Sequence, residues 1–218
     1  MNTSYRLARR QFTLQLIVSF LAAVTVFGAD GQPGVANVRG ILGQAQFSRA
    51  GGSWVPLGPG MVLRPGDIVQ TTAGSAVDLH LGDIVGTVRL TGNAALSLDK
   101  LPAGNTPAAG FEVQLSLRAG ELLGLSKAVP QGSRFEVKVA SGIAQILEGR
   151  FRVDSRGLVV LVEGRALFAH VPSTGEPSAH TLAAPPSVYF APDYGIQPAP
   201  KELVREVAKQ MRSKLPRR

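Results

Sequence analysis

The sequence predicts an all-β domain built from short strands. Between residues 38 and 171 the apolar residues recur with a period of two, as in Val77–Leu81 and Phe135–Val139. This alternation places apolar side chains on one face of a strand and polar ones on the other. The chain has 25 glycines and 15 prolines but only 6% aromatic residues, a composition typical of short strands joined by tight turns. These observations predict a β-roll, a short solenoid-like stack or a sandwich.

The N-terminal segment, residues 1–29, is predicted to direct export. Arg6, Arg9 and Arg10 precede the uncharged stretch Phe12–Ala29, which is the pattern of a signal peptide cleaved near Gly28–Ala29. Retention as a membrane anchor is the alternative, because about 18 apolar residues are the lower limit for crossing a bilayer. Both the general and the twin-arginine export routes stay open. We therefore expect a periplasmic or envelope location, with membrane anchoring if the segment is kept.

The net charge of +8 comes from the two ends of the chain. Residues 1–29 hold three basic residues and no acid, and residues 201–218 hold seven basic and two acidic residues. Residues 30–200 hold thirteen of each. A neutral body lacks the basic patch that nucleic-acid binding requires, so we expect no nucleic-acid partner. The chain has no cysteine, so packing alone must hold an exported domain together.

Several signals order the predicted domain of residues 38–171. Leu158–Val162 is apolar at every position, which predicts a strand buried on both faces at the centre of a sheet. Pro102–Gly110 predicts a loop. Two short sequences occur twice, and we interpret them as strand–turn units of even length: Gly66-Asp67-Ile68-Val69 with Gly82-Asp83-Ile84-Val85, and Glu148-Gly149-Arg150 with Glu163-Gly164-Arg165.

Composition shifts after residue 171. Residues 172–200 hold seven of the fifteen prolines, which predicts an extended linker. Aromatic residues within it, Val188-Tyr189-Phe190 and Tyr194, indicate that it lies across a surface groove of the domain. Residues 201–218 carry apolar side chains at helical spacing among basic ones, which predicts a basic amphipathic helix. This helix could dock on the domain, bind an anionic membrane or envelope surface, or form a solubilising tail.

The residues that catalysis needs are not arranged in a recognisable pattern. The three histidines, His80, His170 and His180, have no metal-site spacing, and no nucleophile-elbow sequence is present. Asp67 and Asp83 each follow Gly and precede Ile-Val, so we interpret them as turn residues that enter strands rather than as a carboxylate pair. The sequence therefore predicts no catalytic residues, no metal site and no cofactor.

The contact residues that we predict are aromatic or basic. Trp54, the only tryptophan, lies beside a Gly-Gly turn. It is expected either to plug one end of the β-core or, if exposed, to stack on a sugar or bind a partner. The predicted partner-binding residues are Trp54, Tyr189, Tyr194, Lys201, Arg205, Lys209 and Arg212.

The order of motifs resembles the FecR domain family. Ser53–Leu57 and then Gly60–Thr71 match the start of that domain, where a Trp, a Gly, a Gly-Asp and a Thr follow at similar intervals. Leu117–Leu122, Phe135–Val139 and Val160–Phe168 are similar to later parts, so the resemblance covers residues 38–171. It implies an extracytoplasmic β-domain.

Two departures limit what this resemblance implies. Members commonly read Ile-Arg-Gly-Thr before a closing strand, whereas residues 146–149 here read Ile-Leu-Glu-Gly. About eleven residues precede the apolar segment, so we do not expect the cytoplasmic sigma-factor-binding domain of the best-known members. The chain is more similar to short exported FecR-like proteins.

The sequence as a whole predicts a non-catalytic binding or scaffold module of the cell envelope. Its expected partner is an envelope protein or a polysaccharide. A membrane-anchored sensor domain related to FecR regulators is the alternative, with Phe12–Ala29 as its anchor.

Overall fold

The computed structural model describes residues 34–103, 110–172, 174, 176–184 and 187–212, with the backbone alone at Arg212. The predicted segment 1–29, the tip of the predicted loop at 104–109 and the end of the predicted helix at 213–218 lie outside these residues. The described elements are β1 (Ala36–Leu42), β2 (Ala45–Arg49), β3 (Trp54–Pro56), β4 (Val62–Leu63), β5 (Asp67–Thr71), β6 (Ala76–His80), β7 (Gly86–Leu90), β8 (Ala95–Lys100), β9 (Glu112–Ala119), β10 (Glu121–Ser126), β11 (Arg134–Val139), β12 (Gly142–Asp154), β13 (Val159–His170), β14 (Ser178–Ala184), β15 (Val188–Ala191), β16 (Gly195–Pro198) and α1 (Lys201–Arg212).

The strands form one curled, open sheet that divides into two arms at the long hairpin of β12 and β13. Residues 142–145 of β12 pair with β11, and residues 149–154 pair with β10. One arm continues β11-β9-β8-β5-β2-β3 and the other β10-β7-β6-β1-β4. On its other side β13 pairs with β14 and with β15, which pairs with β16. The all-β prediction is confirmed.

The inner faces of the two arms enclose one hydrophobic core. Val69 and Leu96 from one arm and Val77 and Leu90 from the other are fully buried in the same cluster. The rings of Phe135 and Phe151 meet edge to face across the arms, with centroids 5.9 Å apart, an arrangement that aromatic quadrupoles favour. The alternating residues of the sequence are thus the residues that line this core.

The repeated Glu-Gly-Arg sequences face each other at the bend of the hairpin. Gly149 pairs with Gly164, and reciprocal ion pairs flank them, Glu148 with Arg165 at 2.9 Å and Arg150 with Glu163 at 2.8 Å. Both glycines have positive φ, 108° and 99°, which side chains with a Cβ rarely adopt. The repeat is thus one strand and one turn long, which fits the strand–turn interpretation, and its two copies pair across one hairpin.

The apolar run Leu158–Val162 lies at the centre of the sheet, as predicted. Residues 159–161 of β13 pair with β12 on one side and β15 on the other. Leu161 faces the main core, and Val160 lies in a second cluster with Val207 and Met211 of α1. The helix therefore docks on the domain and covers the second face, which explains why no position in this run is polar.

Within residues 172–200 the described segments are part of the sheet rather than only a spacer, contrary to the linker prediction. They contribute β14, β15 and β16. Leu182 and Phe190 are both buried, and the Phe190 ring packs on Phe168 with centroids 4.5 Å apart. The proline content correctly predicted an extended backbone. Extended backbone can also form a strand at the edge of a sheet, where proline is tolerated.

No helix within the described part of the chain combines the length and the apolarity that crossing a bilayer requires.

Candidate binding surface at the sheet edge

The two terminal strands of the sheet path, β3 and β4, carry a group of exposed apolar side chains. Trp54 and Val55 on β3 are 41% and 45% exposed, and Val62 on β4 is 45% exposed. Met61, just before β4, is 39% exposed. We call these four residues the β3–β4 edge. Grouped exposed apolar side chains make this edge a candidate contact surface.

Backbone and side-chain bonds hold the β3–β4 edge in place. The Gly60 amide donates to the Val38 carbonyl at 2.8 Å, and the Val38 amide donates to the Met61 carbonyl at 2.9 Å. Arg49, at the end of β2, reaches the Val62 carbonyl with Nη2 at 3.5 Å. Because β3 pairs with β2, this contact links the strands at the two ends of the path.

Asp67 orients the Arg49 guanidinium. Nε and Nη2 of Arg49 each donate to one Asp67 oxygen at 3.0 Å, a bidentate pair. The buried carboxylate also accepts from the Arg64 amide at 2.9 Å, and its hydrogen bond raises the pKa of Arg49. Asp67 thus opens β5 as a turn residue, as predicted. Asp83 lies in the turn before β7 and pairs with His80 at 3.2 Å.

Trp54 lies on the outer face of the sheet and is not a plug. Its partner across the ladder is Ser48, and Pro56, two residues on, pairs with Gln46. The inner-facing residues of β5, Asp67, Val69 and Thr71, alternate with Ile68 and Gln70. The core is closed without the indole, because β3 is an edge strand whose three residues are all exposed. The plug interpretation was therefore wrong.

A cavity of about 520 Å³ adjoins this strand on the outer face. Gln46 pairs with both Pro56 and Gln70 in the ladders, so these side chains leave the sheet on the same side. Nε2 of Gln46 donates to Oε1 of Gln70 at 3.3 Å. None of the residues lining the cavity is charged: Gly43, Gln44, Ala45, Gln46, Pro56, Leu57, Gln70, Thr71 and Thr72.

The other predicted contact residues lie on different elements. Tyr189 on β15 packs against the cluster beneath α1, so it supports the helix. Tyr194 lies in the turn after β15 and is 73% exposed. Lys201, Arg205 and Lys209 are exposed on α1, and the side chain of Arg212 lies outside the described residues. The structure brings none of these to the β3–β4 edge in a described contact.

A second cavity, of about 380 Å³, lies between α1 and the sheet. Lys209 and Glu206 line it from the helix, and Arg89 and Glu121 line it from β7 and β10. The guanidinium of Arg89 forms a buried bidentate pair with Asp78. Side chains of both charge signs therefore line this cavity.

Within the described ranges, no three His, Asp or Glu side chains come together as a metal site could require.

Comparison with known proteins gives two distant structural likenesses. No family model matches the chain, and no curated protein matches it. Two crystal structures, each described as a candidate anti-sigma factor from Parabacteroides distasonis ATCC 8503, are similar to it with 15% and 14% identity and TM-scores of 0.48 and 0.47. The likeness covers 66% of this chain and 63% and 64% of those chains. At this distance we take nothing about function from it.

Sequence reasoning missed the glutamines of the outer face. Gln46 and Gln70 occupy the polar positions of alternating strands, which a sequence shows only as solvent-facing. Their meeting depends on the pairing of β2 with β5. No local signal in the sequence marks them.

Proposed function

We propose that this chain is a non-catalytic binding module of the cell envelope that contacts its partner through the β3–β4 edge. The observation that carries this proposal is the grouping of exposed apolar residues there. Nine large apolar side chains are exposed among the described residues, and four of them belong to this edge. The envelope location follows from the N-terminal segment, whose basic start and apolar middle are typical of export.

The backbone of the edge supports the same role. In the described part of the chain β3 pairs with β2 alone and β4 with β1 alone. Unpaired amide and carbonyl groups beside apolar side chains favour association, and proteins that have no partner usually blunt such edges with charge. Arg49 and Arg64 are the charges beside these strands, and Arg49 is held by Asp67.

The proposal is tested by photo-crosslinking in intact cells. A benzophenone amino acid placed at Val55 or Val62 inserts into C–H bonds of any bound partner, whether protein or glycan. We expect adducts from both positions and none from Tyr194, an exposed control away from the edge. Adducts at all three positions, or at Tyr194 alone, would remove the edge as the contact surface.

A variant of Trp54 distinguishes a specific partner from nonspecific adsorption. Trp54→Ser is expected to reduce the adduct at Val62 at least about tenfold, because a buried aromatic contact contributes a large share of affinity. Since Trp54 is exposed, this change leaves the fold intact. Retention of the adduct in Trp54→Ser would contradict the proposal, and circular dichroism checks that the variant is folded.

A membrane-anchored sensor domain related to FecR regulators is the second candidate. The order of motifs across residues 38–171 and the apolar stretch Phe12–Ala29 favour it. Mass spectrometry of the N-terminus in the envelope fraction separates the two. A chain that starts near Asp30 excludes the anchored form, whereas an intact Met1 supports it.

A further inference from the structure

We propose that the ligand of this surface is a neutral glycan, held in a groove formed by Gln44, Gln46, Pro56, Gln70 and Thr72 beside Trp54. We call these five residues the amide groove. The inference rests on the proposed function and names the chemical class of its partner.

The composition of the amide groove matches sugar hydroxyls. Each glutamine carries two N–H donors and an oxygen with two lone pairs. Oγ1 of Thr72 already bonds within the chain, 3.3 Å from the Gln44 carbonyl and 2.8 Å from Oγ of Ser75, so the glutamines supply the donors and acceptors for a ligand. A sugar hydroxyl also donates and accepts, so it pairs with either end of an amide. The volume of about 520 Å³ lies within the range of small-ligand sites.

The groove keeps bonding capacity for a ligand. Gln46 donates one N–H to Oε1 of Gln70 at 3.3 Å, and Oε1 of Gln46 and Nε2 of Gln70 remain to bond a ligand. The backbone beneath Gln44 is anchored, because its amide donates to Oγ of Ser75 at 2.9 Å and its carbonyl accepts from the Thr72 amide at 3.2 Å. The paired strands fix the backbone beneath these side chains, so only the side chains lose entropy on binding.

Trp54 supplies an apolar platform at the end of the groove. It lies two residues before Pro56 on β3, on the same face as Gln46 and Gln70, because side chains alternate along a strand. An exposed indole stacks on the C–H face of a pyranose ring and excludes water from it. The groove and the indole together offer a hydrogen-bonding part and a stacking part.

Charge favours a neutral glycan over an anionic one. The lining of the groove has no basic side chain to bind a carboxylate or sulfate. Arg49 projects to the opposite face and is paired with Asp67.

The test uses the purified chain and calorimetry with maltohexaose, cellohexaose and chitohexaose, with hexagalacturonate as the anionic comparison. Because Trp54 is the only tryptophan, intrinsic fluorescence reports directly on this site. We expect at least one neutral hexasaccharide to bind and to shift the tryptophan emission, and hexagalacturonate to do neither.

Matched variants assign the binding to the groove. Gln70→Ala and Gln46→Ala are expected to weaken binding by about tenfold each, since each removes hydrogen bonds to the ligand. Trp54→Ala is expected to weaken it by at least about tenfold. Gln197→Ala, an exposed glutamine on β16, is the control and should bind like the unmodified chain.

Three results would overturn the inference: no binding by any neutral hexasaccharide up to about 5 mM, equal binding by hexagalacturonate, or unchanged affinity in Gln70→Ala. If neutral glycans fail but the Val55 and Val62 adducts form and contain a protein, the glycan inference falls and the proposed function stands. If the adducts are also absent, both fall.

Discussion

Replacing Gly149 by Ala at the bend of the β12–β13 hairpin should destabilise the whole domain. A Cβ built there would lie 2.6 Å from the carbonyl carbon of Glu163 and 2.7 Å from Cα of Gly164, so backbone must move. The φ of 108° adds conformational strain of about 1–3 kcal/mol, and the overlap adds about 1–3 kcal/mol more. We expect the free energy of unfolding to fall by about 3–5 kcal/mol, measured by urea denaturation.

Gly132→Ala is the matched control for this experiment. Gly132 also has a positive φ, of 80°, but a Cβ there meets nothing within 4 Å. It therefore carries the conformational strain without the overlap, and its cost should be about 1–2 kcal/mol. If the two variants lose equal stability, the close approach of the two strands at the bend is not what requires glycine, and our account of the hairpin is refuted.

Three further predictions concern the helix, the buried ion pair and the exposed carboxylates. Val207→Ser should release α1 from the sheet, because an isolated helix of this length is marginal in water. Hydrogen exchange of the α1 amides should then accelerate while exchange of the β12 amides stays unchanged. Equal acceleration in both elements would contradict this prediction. Asp78→Ala should cost about 3–5 kcal/mol of unfolding free energy, because it leaves the Arg89 charge buried without its carboxylate; a loss below about 1 kcal/mol in urea denaturation would contradict this. The hydrogen bond from Lys100 lowers the pKa of Glu112 below its ordinary 4.5. The stability that this pair adds is therefore present above pH 4.5 and is lost as the pH falls through the pKa of the folded state. Lys100→Ala should raise the Glu112 pKa in an NMR titration, and an unchanged pKa would show that the shift has another cause.

The half-buried strands were predictable because their chemistry is local. Val77–Leu81 and Phe135–Val139 show their inner faces through alternation alone, whatever strand pairs with them. The absence of polar residues from Leu158–Val162 likewise predicted a strand that is buried on both faces. What covers the second face was not predictable, because α1 docks there through Val207 and Met211, which lie far along the chain from this run.

Features that depend on pairing were misjudged. The two Glu-Gly-Arg sequences were visible as a repeat, but only the hairpin register shows that they face each other with crossed ion pairs. Residues 172–200 have the proline content of a linker, yet Leu182 and Phe190 bury enough apolar surface to fix them to β13. Proline frequency predicts extended backbone, and burial decides whether that backbone joins a sheet.

Of the candidate site, the sequence pointed to Trp54 but not to the glutamines. Trp54 attracted attention as the single tryptophan, but its exposure follows from the position of β3 at the end of the sheet path. The glutamines beside it are ordinary polar residues in the sequence. They become a groove only because β2 lies between β3 and β5.

The central claim is that the surface around Trp54 contacts a partner in the cell envelope. Fluorine NMR tests this claim most directly. Growth with 5-fluorotryptophan labels Trp54 alone and gives one resonance. We predict that adding envelope extract shifts or broadens this resonance, while a 3-fluorotyrosine label at Tyr194 keeps its position. An unchanged Trp54 resonance under conditions where the chain is retained by the extract would contradict the account.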